Sequence, residues 1–234
     1  MVFAYSPQTQ AKREKLPPPL QSGDRLPRPE FERRYAAAPH IKKAELIEGV
    51  VYVASPLRHE QHGKPHSRVI TWLGFYQAMT PGIDLSDAPT IRLDLDNEPQ
   101  PDVAMFIEAT SGGQTRISHD DYIEGAPELI VEIAASSVAI DTGIKKEIYR
   151  RNGVREYLIW QTYDNQLEWF GLKDGEYQLL SADDDGIIRS LAFPGLWLAT
   201  EALLTNQMAE VLAVLEAGLK SAEHQAFVKR LQKR

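Results

Sequence analysis

The chain has 234 residues and a formal net charge of −7; hydrophobic residues make up 43% and charged residues 25%, enough apolar material for one ordered domain. It contains no cysteine, which excludes disulfides, thiolate metal sites and cysteine nucleophiles. No apolar run is long enough to span a bilayer, and the start, MVFAYSPQTQAKREK, lacks the apolar core of a secretory signal, so we expect a cytoplasmic protein without membrane attachment.

Positive charge is concentrated at the two ends of the chain. Residues 1–34 carry a net charge of +3 and residues 220–234 a net charge of +4, which leaves −14 for the middle. Proteins that bind nucleic acid usually need a basic surface. Three explanations remain open: the partner is not nucleic acid, the basic ends and a local patch guide it, or bound cations offset a cluster of carboxylates.

The first half of the chain predicts a proline-rich arm, a short helix, a hairpin, a longer helix and two strands. The hairpin turns at Glu48-Gly49, and the longer helix has one apolar face. In that order, the ranges are 16–29, 29–38, 45–55, 59–79, 90–96 and 101–107, followed by a polar loop over 108–127.

The second half predicts a buried strand over 128–135, then a helix in which Ile140, Ile144 and Ile148 recur every four residues and which stops at Asn152-Gly153. Four strands separated by turn residues follow, which is typical of an antiparallel meander. They are expected at 155–161, 166–172, 176–182 and 187–193, with helices at 200–217 and 221–232.

This order of elements predicts a mixed α/β fold with extensions at both ends. We expect an N-terminal extension over residues 1–40, a central domain over 41–200 and a helical C-terminal tail over 201–234. The apolar helices of the tail exceed what a minimal core needs, so a homodimer is also expected.

Two carboxylates stand in or beside apolar strands. Asp102 opens the strand PDVAMFI, and Glu132 lies within LIVEIAA on the same face as Ile130 and Ala134. A buried carboxylate must be protonated, paired with a base or bound to a cation. Lys145 and Lys146 on the next helix could reach back to Glu132.

Two carboxylates and an ammonium would form a site of hard oxygen ligands, which suits Mg²⁺. The metal would polarise a phosphoryl oxygen and acidify its bound water, while the lysine orients that water. A structural salt bridge between Glu132 and either lysine is the alternative.

Six sequence blocks follow one another in a recognisable order. They are ELIEG (45–49), Pro101-Asp102, GAPELIVEI (125–133), Asp141-x3-Lys145-x3-Tyr149, GVREYLIW (153–160) and FPGLWL (193–198). Together, over about residues 30–200, they resemble the Uma2 family of the PD-(D/E)xK, or restriction-endonuclease-like, superfamily. The resemblance implies a restriction-endonuclease-like core, with a mixed sheet flanked by helices, and an Mg²⁺-dependent (or Mn²⁺-dependent) endonuclease acting on DNA.

The resemblance also implies roles for individual residues. Asp102 resembles the motif aspartate, Glu132 the second acid and Glu48 an additional acid, so these carboxylates would hold the metal. The motif lysine should follow the second acid by two residues, where this chain has Ala134. In Uma2-like sequences that lysine is thought to lie on the following helix, which matches Lys145, with Lys146 as the alternative.

Other functions remain open. A catalytically inactive nuclease fold could serve as a binding or assembly module, or as an immunity-like regulatory partner, and two carboxylates could serve a glycosidase. His59, His62 and His66 have helical spacing but no zinc motif, so a polar role near the site is favoured over zinc binding. Arg58, Lys64 and Arg68 could form a positive rim that contacts phosphate.

Overall fold

The computed structural model of the chain describes residues 17–233. Most of the N-terminal extension predicted over residues 1–40 can therefore be compared with the structure, whereas residues 1–16 and Arg234 lie outside the described part. No helix within 17–233 combines the length and apolar character needed to cross a membrane.

Between residues 17 and 233, thirteen strands form one large sheet and three small ones. They are β1 (Ala44–Ile47), β2 (Val50–Val53), β3 (Ile83–Asp87), β4 (Ile91–Arg92), β5 (Val103–Ile107), β6 (Arg116–Ile117), β7 (Ile123–Glu124), β8 (Leu129–Ala134), β9 (Glu156–Gln161), β10 (Gln166–Lys173), β11 (Glu176–Leu179), β12 (Ile187–Arg189) and β13 (Trp197–Ala199).

Seven α-helices of the described chain flank these sheets, and π-helical turns over His59–Gly63 and Asp141–Lys145 lead into two of them. The helices are α1 (Arg28–Ala36), α2 (Lys64–Ala78), α3 (Val138–Ile140), α4 (Lys146–Asn152), α5 (Thr200–Leu204), α6 (Met208–Leu219) and α7 (Ala222–Leu231).

The large sheet has six strands in the order β11-β10-β9-β8-β5-β3. In this sheet, only the neighbours β8 and β9 run parallel. They are connected by α3, the second π-helical turn and α4, because parallel strands need a longer connection than a hairpin. Because the other neighbouring pairs are antiparallel, the sheet is mixed. This is the mixed α/β architecture that the sequence predicts, with helices against the sheet and at the C-terminal end.

The two faces of the large sheet are covered by different apolar layers. Val103, Val131 and Leu158 belong to a core shared with α2 and the C-terminal helices. Ile130 and Ala134 belong to a second core shared with Ile148 and Tyr149 of α4. Glu132 alternates with the first group along β8, so it lies on the α4 side, as its sequence position predicts.

The apolar helices from which a homodimer was predicted pack within the chain itself. Val211 and Leu215 of α6 and Phe227 of α7 are buried in the same core as Trp72 of α2. His224 of α7 fixes this arrangement, because its Nε2 lies 2.9 Å from Thr80 Oγ1 beyond the end of α2. These helices therefore give no support for a dimer, which stays a prediction, as do the domain boundaries.

Three local differences from the sequence predictions have physical causes. Strand β3 was not predicted, because Ile83–Asp87 contains only two apolar residues among polar ones. The fourth meander strand shrinks to β12 and pairs with β13 instead of β11. The helix predicted over 200–217 breaks between α5 and α6, where Asn206 adopts a positive φ of 63°.

Glu98 is a buried carboxylate beside the β1–β2 hairpin. Its backbone N–H donates to Leu46 O at 2.8 Å, and Arg92 Nε lies 3.8 Å from its Oε2. Burial, followed by the neighbouring Glu32, raises the pKa of Glu98 to about 8, and the guanidinium of Arg92 opposes this only in part. The folded protein therefore holds a proton here that the unfolded chain has released at neutral pH.

We predict that Glu98 makes the free energy of unfolding fall as pH rises from about 4.5 to about 8, by on the order of a few kcal/mol. Its pKa is higher in the folded than in the unfolded state, so the loss begins above the unfolded value and is complete above the folded one. Thermal unfolding of Glu98→Gln across this range should show a flatter pH dependence than wild type. Glu210→Gln, exposed on α6, is the control; equal pH dependence in Glu98→Gln and wild type would contradict the prediction.

Candidate active site

A cavity of about 720 Å³ opens beside the large sheet, between the β1–β2 hairpin and the turn before α4. It is lined on one side by the loop over residues 54–58 and on the other by residues 135–137. The charged side chains that line it are Lys43, Glu45, Arg58, Asp102, Glu132, Asp141 and Lys145, together with His62.

The pairing of β5 with β8 brings Asp102 and Glu132 to neighbouring positions. Val103 pairs with Val131 in this antiparallel register, so the next positions along are Asp102 and Glu132. Asp102 Oδ2 accepts a hydrogen bond of 2.8 Å from the backbone N–H of Ile133, which fixes the aspartate to β8. Both carboxylates line the cavity, as the sequence predicts for residues that share a site.

Asp102 is held as an ionised carboxylate by three donors. Besides the N–H of Ile133, its Oδ1 lies 3.0 Å from His62 Nε2 and 3.3 Å from Lys43 Nζ. Burial alone would raise the pKa of Asp102, but the hydrogen bond from His62 and the charge of Lys43 hold it well below its usual range. The side chain is therefore an anion that can interact with a cation.

Lys145 joins Glu132 to two further carboxylates. Its Nζ lies 2.8 Å from Glu45 Oε1, 2.9 Å from Glu132 Oε1 and 3.6 Å from Asp141 Oδ1, and its side chain is only 4% exposed. The hydroxyl of Tyr149, one turn along α4, donates to the same Oε1 of Glu132 at 2.9 Å. We call Glu45, Asp102, Glu132 and Asp141 the carboxylate cluster.

Burial and mutual repulsion set the protonation of this cluster. Burial, with the charges of Asp141 and Asp102, raises the pKa of Glu132 to about 8 against the opposing charge of Lys145. Burial lowers the pKa of Lys145, but the carboxylates of Glu132, Glu45 and Asp141 outweigh it and raise that pKa well above its usual value. Lys145 is therefore an ammonium at neutral pH, and the raised pKa of Glu132 means that a proton is retained at this carboxylate.

Both π-helical turns deliver residues to the site. The first carries His62 towards Asp102, and the second carries Asp141 and Lys145 towards Glu132. Gly143 interrupts the second turn with φ −102° and ψ −105°, a conformation that its lack of a side chain allows. A π turn widens the helix by one residue, and such turns recur at functional sites.

Glu48 does not join the cluster, which corrects its predicted place among the metal ligands. It occupies the hairpin turn with a positive φ of 51°, where its carboxylate pairs with Arg151 and accepts a hydrogen bond from Asn97. Glu45, and not Glu48, is the glutamate of this hairpin that lines the cavity. It lies within β1, and its Oε1 contacts Lys145. The turn signal at Glu48-Gly49 could have revealed this, since a residue at a hairpin turn points away from the sheet.

The two lysines of the following helix have separate surroundings. Lys145 enters the cluster, whereas Lys146 Nζ lies 3.5 Å from the centre of the Phe170 ring on another side of the helix. Consecutive helical residues diverge in direction, so only one of them can reach Glu132. The geometry thus selects Lys145 over Lys146 as the lysine beside the cluster.

The histidines do not form one set of metal ligands, although two of them lie beside Asp102. His62 Nε2 faces the Asp102 carboxylate, and His66 Nε2 lies 3.1 Å from the Asp102 backbone carbonyl oxygen and 3.1 Å from Asp87 Oδ1. His59 is exposed. Of the basic residues expected to form a rim, Lys64 pairs with Glu60 and Arg68 lies over Trp160, which leaves Arg58 at the cavity. Lys43 was missed from the sequence, because nothing in its local pattern distinguishes it from a surface lysine.

The donor chemistry of the site fits Mg²⁺ held by few protein ligands. Within residues 17–233, no group of three or more His, Asp or Glu side chains is arranged to chelate a metal ion. Asp102 and Glu132 nevertheless face one cavity, and hydrogen bonds within the described chain engage only one oxygen of Glu132. Mg²⁺ commonly binds through one or two carboxylates and keeps several waters, which this pair of acids allows.

Comparisons with known proteins agree with this architecture. The model of the Uma2 family, described as "putative restriction endonuclease", matches residues 28–201. A solved structure from Anabaena variabilis, titled as a "putative nuclease belonging to DUF820", has a TM-score of 0.51 and 14% sequence identity, covering 69% of this chain and 89% of that one. That similarity shows a shared fold. No curated protein matches the chain.

We predict that Lys145→Met destabilises the protein by about 3–5 kcal/mol, because it leaves buried carboxylates without their counter-ion. Urea unfolding at neutral pH measures the change. Lys146→Met is the matched control and should cost about 1 kcal/mol or less, since it removes only a contact with Phe170. Equal stability of the two variants would show that Lys145 does not hold the cluster together.

Proposed function

The chain belongs to the Uma2 family, and from this premise we propose that it is a metal-dependent endonuclease that hydrolyses phosphodiester bonds in DNA. The observation that carries the proposal is the position of Asp102, directly before β5, beside Glu132 on the neighbouring strand β8. Both face one cavity that is also lined by the buried Lys145. Paired carboxylates with an adjacent ammonium supply what phosphoryl transfer requires: a place for a cation and a charge to stabilise developing anions.

In the proposed mechanism, Asp102 and Glu132 would hold Mg²⁺ or Mn²⁺. When bound, the cation polarises the phosphoryl oxygen and lowers the pKa of its water. Hydrolysis forms one bond from water oxygen to phosphorus and breaks one ester bond. The water loses a proton and the leaving oxygen gains one.

The chain's own residues keep this arrangement in place. Ile133 N–H and His62 fix Asp102, while Lys145 and Tyr149 fix the Oε1 atom of Glu132. In this proposal Lys145 acts from within the cluster: it sets the position of Glu132, and Glu132 in turn orients the attacking water. Supporting residues of this kind commonly change metal affinity or activity by about 10–100-fold when they are removed.

The alternative is a catalytically inactive nuclease fold that serves as a binding or assembly module. Two observations favour it: Ala134 stands where the superfamily motif has lysine, and Lys145 is surrounded by three carboxylates of the chain, which hold it inside the protein. Such a protein would keep the fold and the cavity but would not hydrolyse nucleic acid.

We predict that wild type cleaves plasmid or oligonucleotide DNA with Mg²⁺ or Mn²⁺ and that Glu132→Gln reduces cleavage by at least about 100-fold, since an amide cannot replace the carboxylate at the metal. Gel-based cleavage with each metal, and with EDTA, measures this. Folding of the variant is checked by its thermal transition. Equal cleavage by both proteins would remove the mechanism, and no cleavage by wild type would favour the inactive module.

We predict different results for two glutamates in one hairpin. Glu45→Gln should lower kcat/KM for cleavage by about 10–100-fold, because Glu45 supports Lys145 at the cavity. Glu48→Gln should retain nearly wild-type cleavage, because its partners are Arg151 and Asn97. Initial rates on a labelled DNA substrate compare the two. A larger loss in Glu48→Gln than in Glu45→Gln would return the metal role to Glu48.

A further inference from the structure

The cavity contains two lysines whose surroundings differ. Lys145 is 4% exposed, and its Nζ contacts three carboxylates. Lys43 precedes β1, its side chain is 24% exposed, and its Nζ contacts one carboxylate, Asp102, at 3.3 Å. Both line the cavity, so both are candidates for the ammonium that meets a substrate phosphate.

The charge of Lys145 is surrounded by carboxylates of the protein itself. Its Nζ donates a hydrogen bond of 2.9 Å to Glu132 Oε1 and also lies 2.8 Å from Glu45 Oε1 and 3.6 Å from Asp141 Oδ1, so one ammonium offsets three buried acids. Turning one donor to a substrate would leave a buried carboxylate uncompensated, which is costly. Lys145 is therefore committed to the protein and is a poor ligand for phosphate.

Lys43 has the opposite properties. Its one carboxylate partner, Asp102, retains the N–H of Ile133 and the ring of His62 when Lys43 turns away. The long, flexible stem of a lysine allows its charge to move within the cavity. Lys43 can therefore exchange its contact with Asp102 for a contact with an anion without leaving that aspartate unpaired.

We propose that Lys43 is the catalytic ammonium of this site, contacting a non-bridging oxygen of the substrate phosphodiester, whereas Lys145 is a positioning residue. The proposal rests on the proposed nuclease function and assigns the phosphate contact within it. Lys43 keeps its proton throughout: its charge offsets the negative charge that grows on the phosphoryl oxygens, and it forms no covalent bond.

The negative charge of the cavity makes the contact between Lys43 and the substrate phosphate important. Four carboxylates line it, and the positive side chains that face them are Lys43, Arg58 and Lys145. With Lys145 engaged inside the cluster, Lys43 is the partly exposed ammonium beside Asp102, and it can turn from that aspartate to an anion. A phosphodiester entering an acidic cavity needs such a group, because repulsion from the carboxylates would otherwise oppose it.

Four variants of the full chain test the assignment: Lys43→Met, Lys43→Arg, Lys145→Met and the control Lys146→Met. Each is assayed for its thermal transition, for cleavage kinetics with Mg²⁺ or Mn²⁺, and for binding of a fluorescein-labelled DNA oligonucleotide by anisotropy. The binding assay uses metal-free buffer of low ionic strength, where the contact between ammonium and phosphate is least screened. Cleavage by Lys145→Met is measured well below its own unfolding temperature.

Lys43→Met should lower kcat by about 10²–10³-fold and weaken oligonucleotide binding, with a smaller fall in melting temperature than Lys145→Met shows. Lys43→Arg should recover part of both, because it keeps the positive charge. Lys145→Met should lower the melting temperature by about 6–20 °C while retaining metal-free binding of the oligonucleotide. Lys146→Met should match wild type in cleavage and binding and should lower the melting temperature by no more than about 4 °C.

Three results would overturn the assignment. The first is that Lys43→Met cleaves and binds like wild type, and the second is that Lys145→Met loses metal-free binding while Lys43→Met keeps it. The third is the absence of any wild-type binding. The nuclease proposal fails separately. If wild type binds the oligonucleotide through Lys43 but cleaves no DNA with either metal, the phosphate contact stands and the catalytic function does not.

Discussion

The site depends on the ammonium of Lys145, held between carboxylates of three different segments. Glu45 comes from the first hairpin, Glu132 from the central strand β8, and Asp141 from the turn that also carries Lys145. Without a positive charge at their centre, these buried anions would repel one another and draw in water or protons. The contacts of Lys145 Nζ join the first hairpin, the large sheet and the turn before α4, which are the segments that surround the cavity.

The fold brings the reactive groups to one place through ordinary features of a mixed sheet. Antiparallel pairing of β5 and β8 sets Asp102 beside Glu132. The parallel pairing of β8 with β9 requires a crossover connection, and this connection places Lys145 at the same end of the strands. The two π turns adjust the final direction of the side chains. The cavity lies at this end of β5 and β8, where these charged groups meet.

The sequence predicted the parts of the site that follow from strand periodicity and failed where long-range contacts decide. Glu132 stands out because a carboxylate interrupts an apolar strand, and Asp102 because it opens one. Glu48 was chosen as the additional acid through family resemblance, although the hairpin turn directs its carboxylate to Arg151, and Glu45 was not considered. Lys43 could not be recognised, since its contact with Asp102 spans 59 residues of sequence. Strand β3 was missed because its pairing with β5, not its own composition, makes it a strand.

We propose that Asp102 and Glu132 form one cation site beside a fixed ammonium, and this site can be measured by titrating Mn²⁺ into metal-free protein. Electron paramagnetic resonance measures the free Mn²⁺ for wild type, Asp102→Asn and Glu132→Gln, each confirmed as folded. We expect one Mn²⁺ site in wild type that either substitution weakens by about 10-fold or more. Binding that is absent from wild type, or unchanged in both variants, would contradict it.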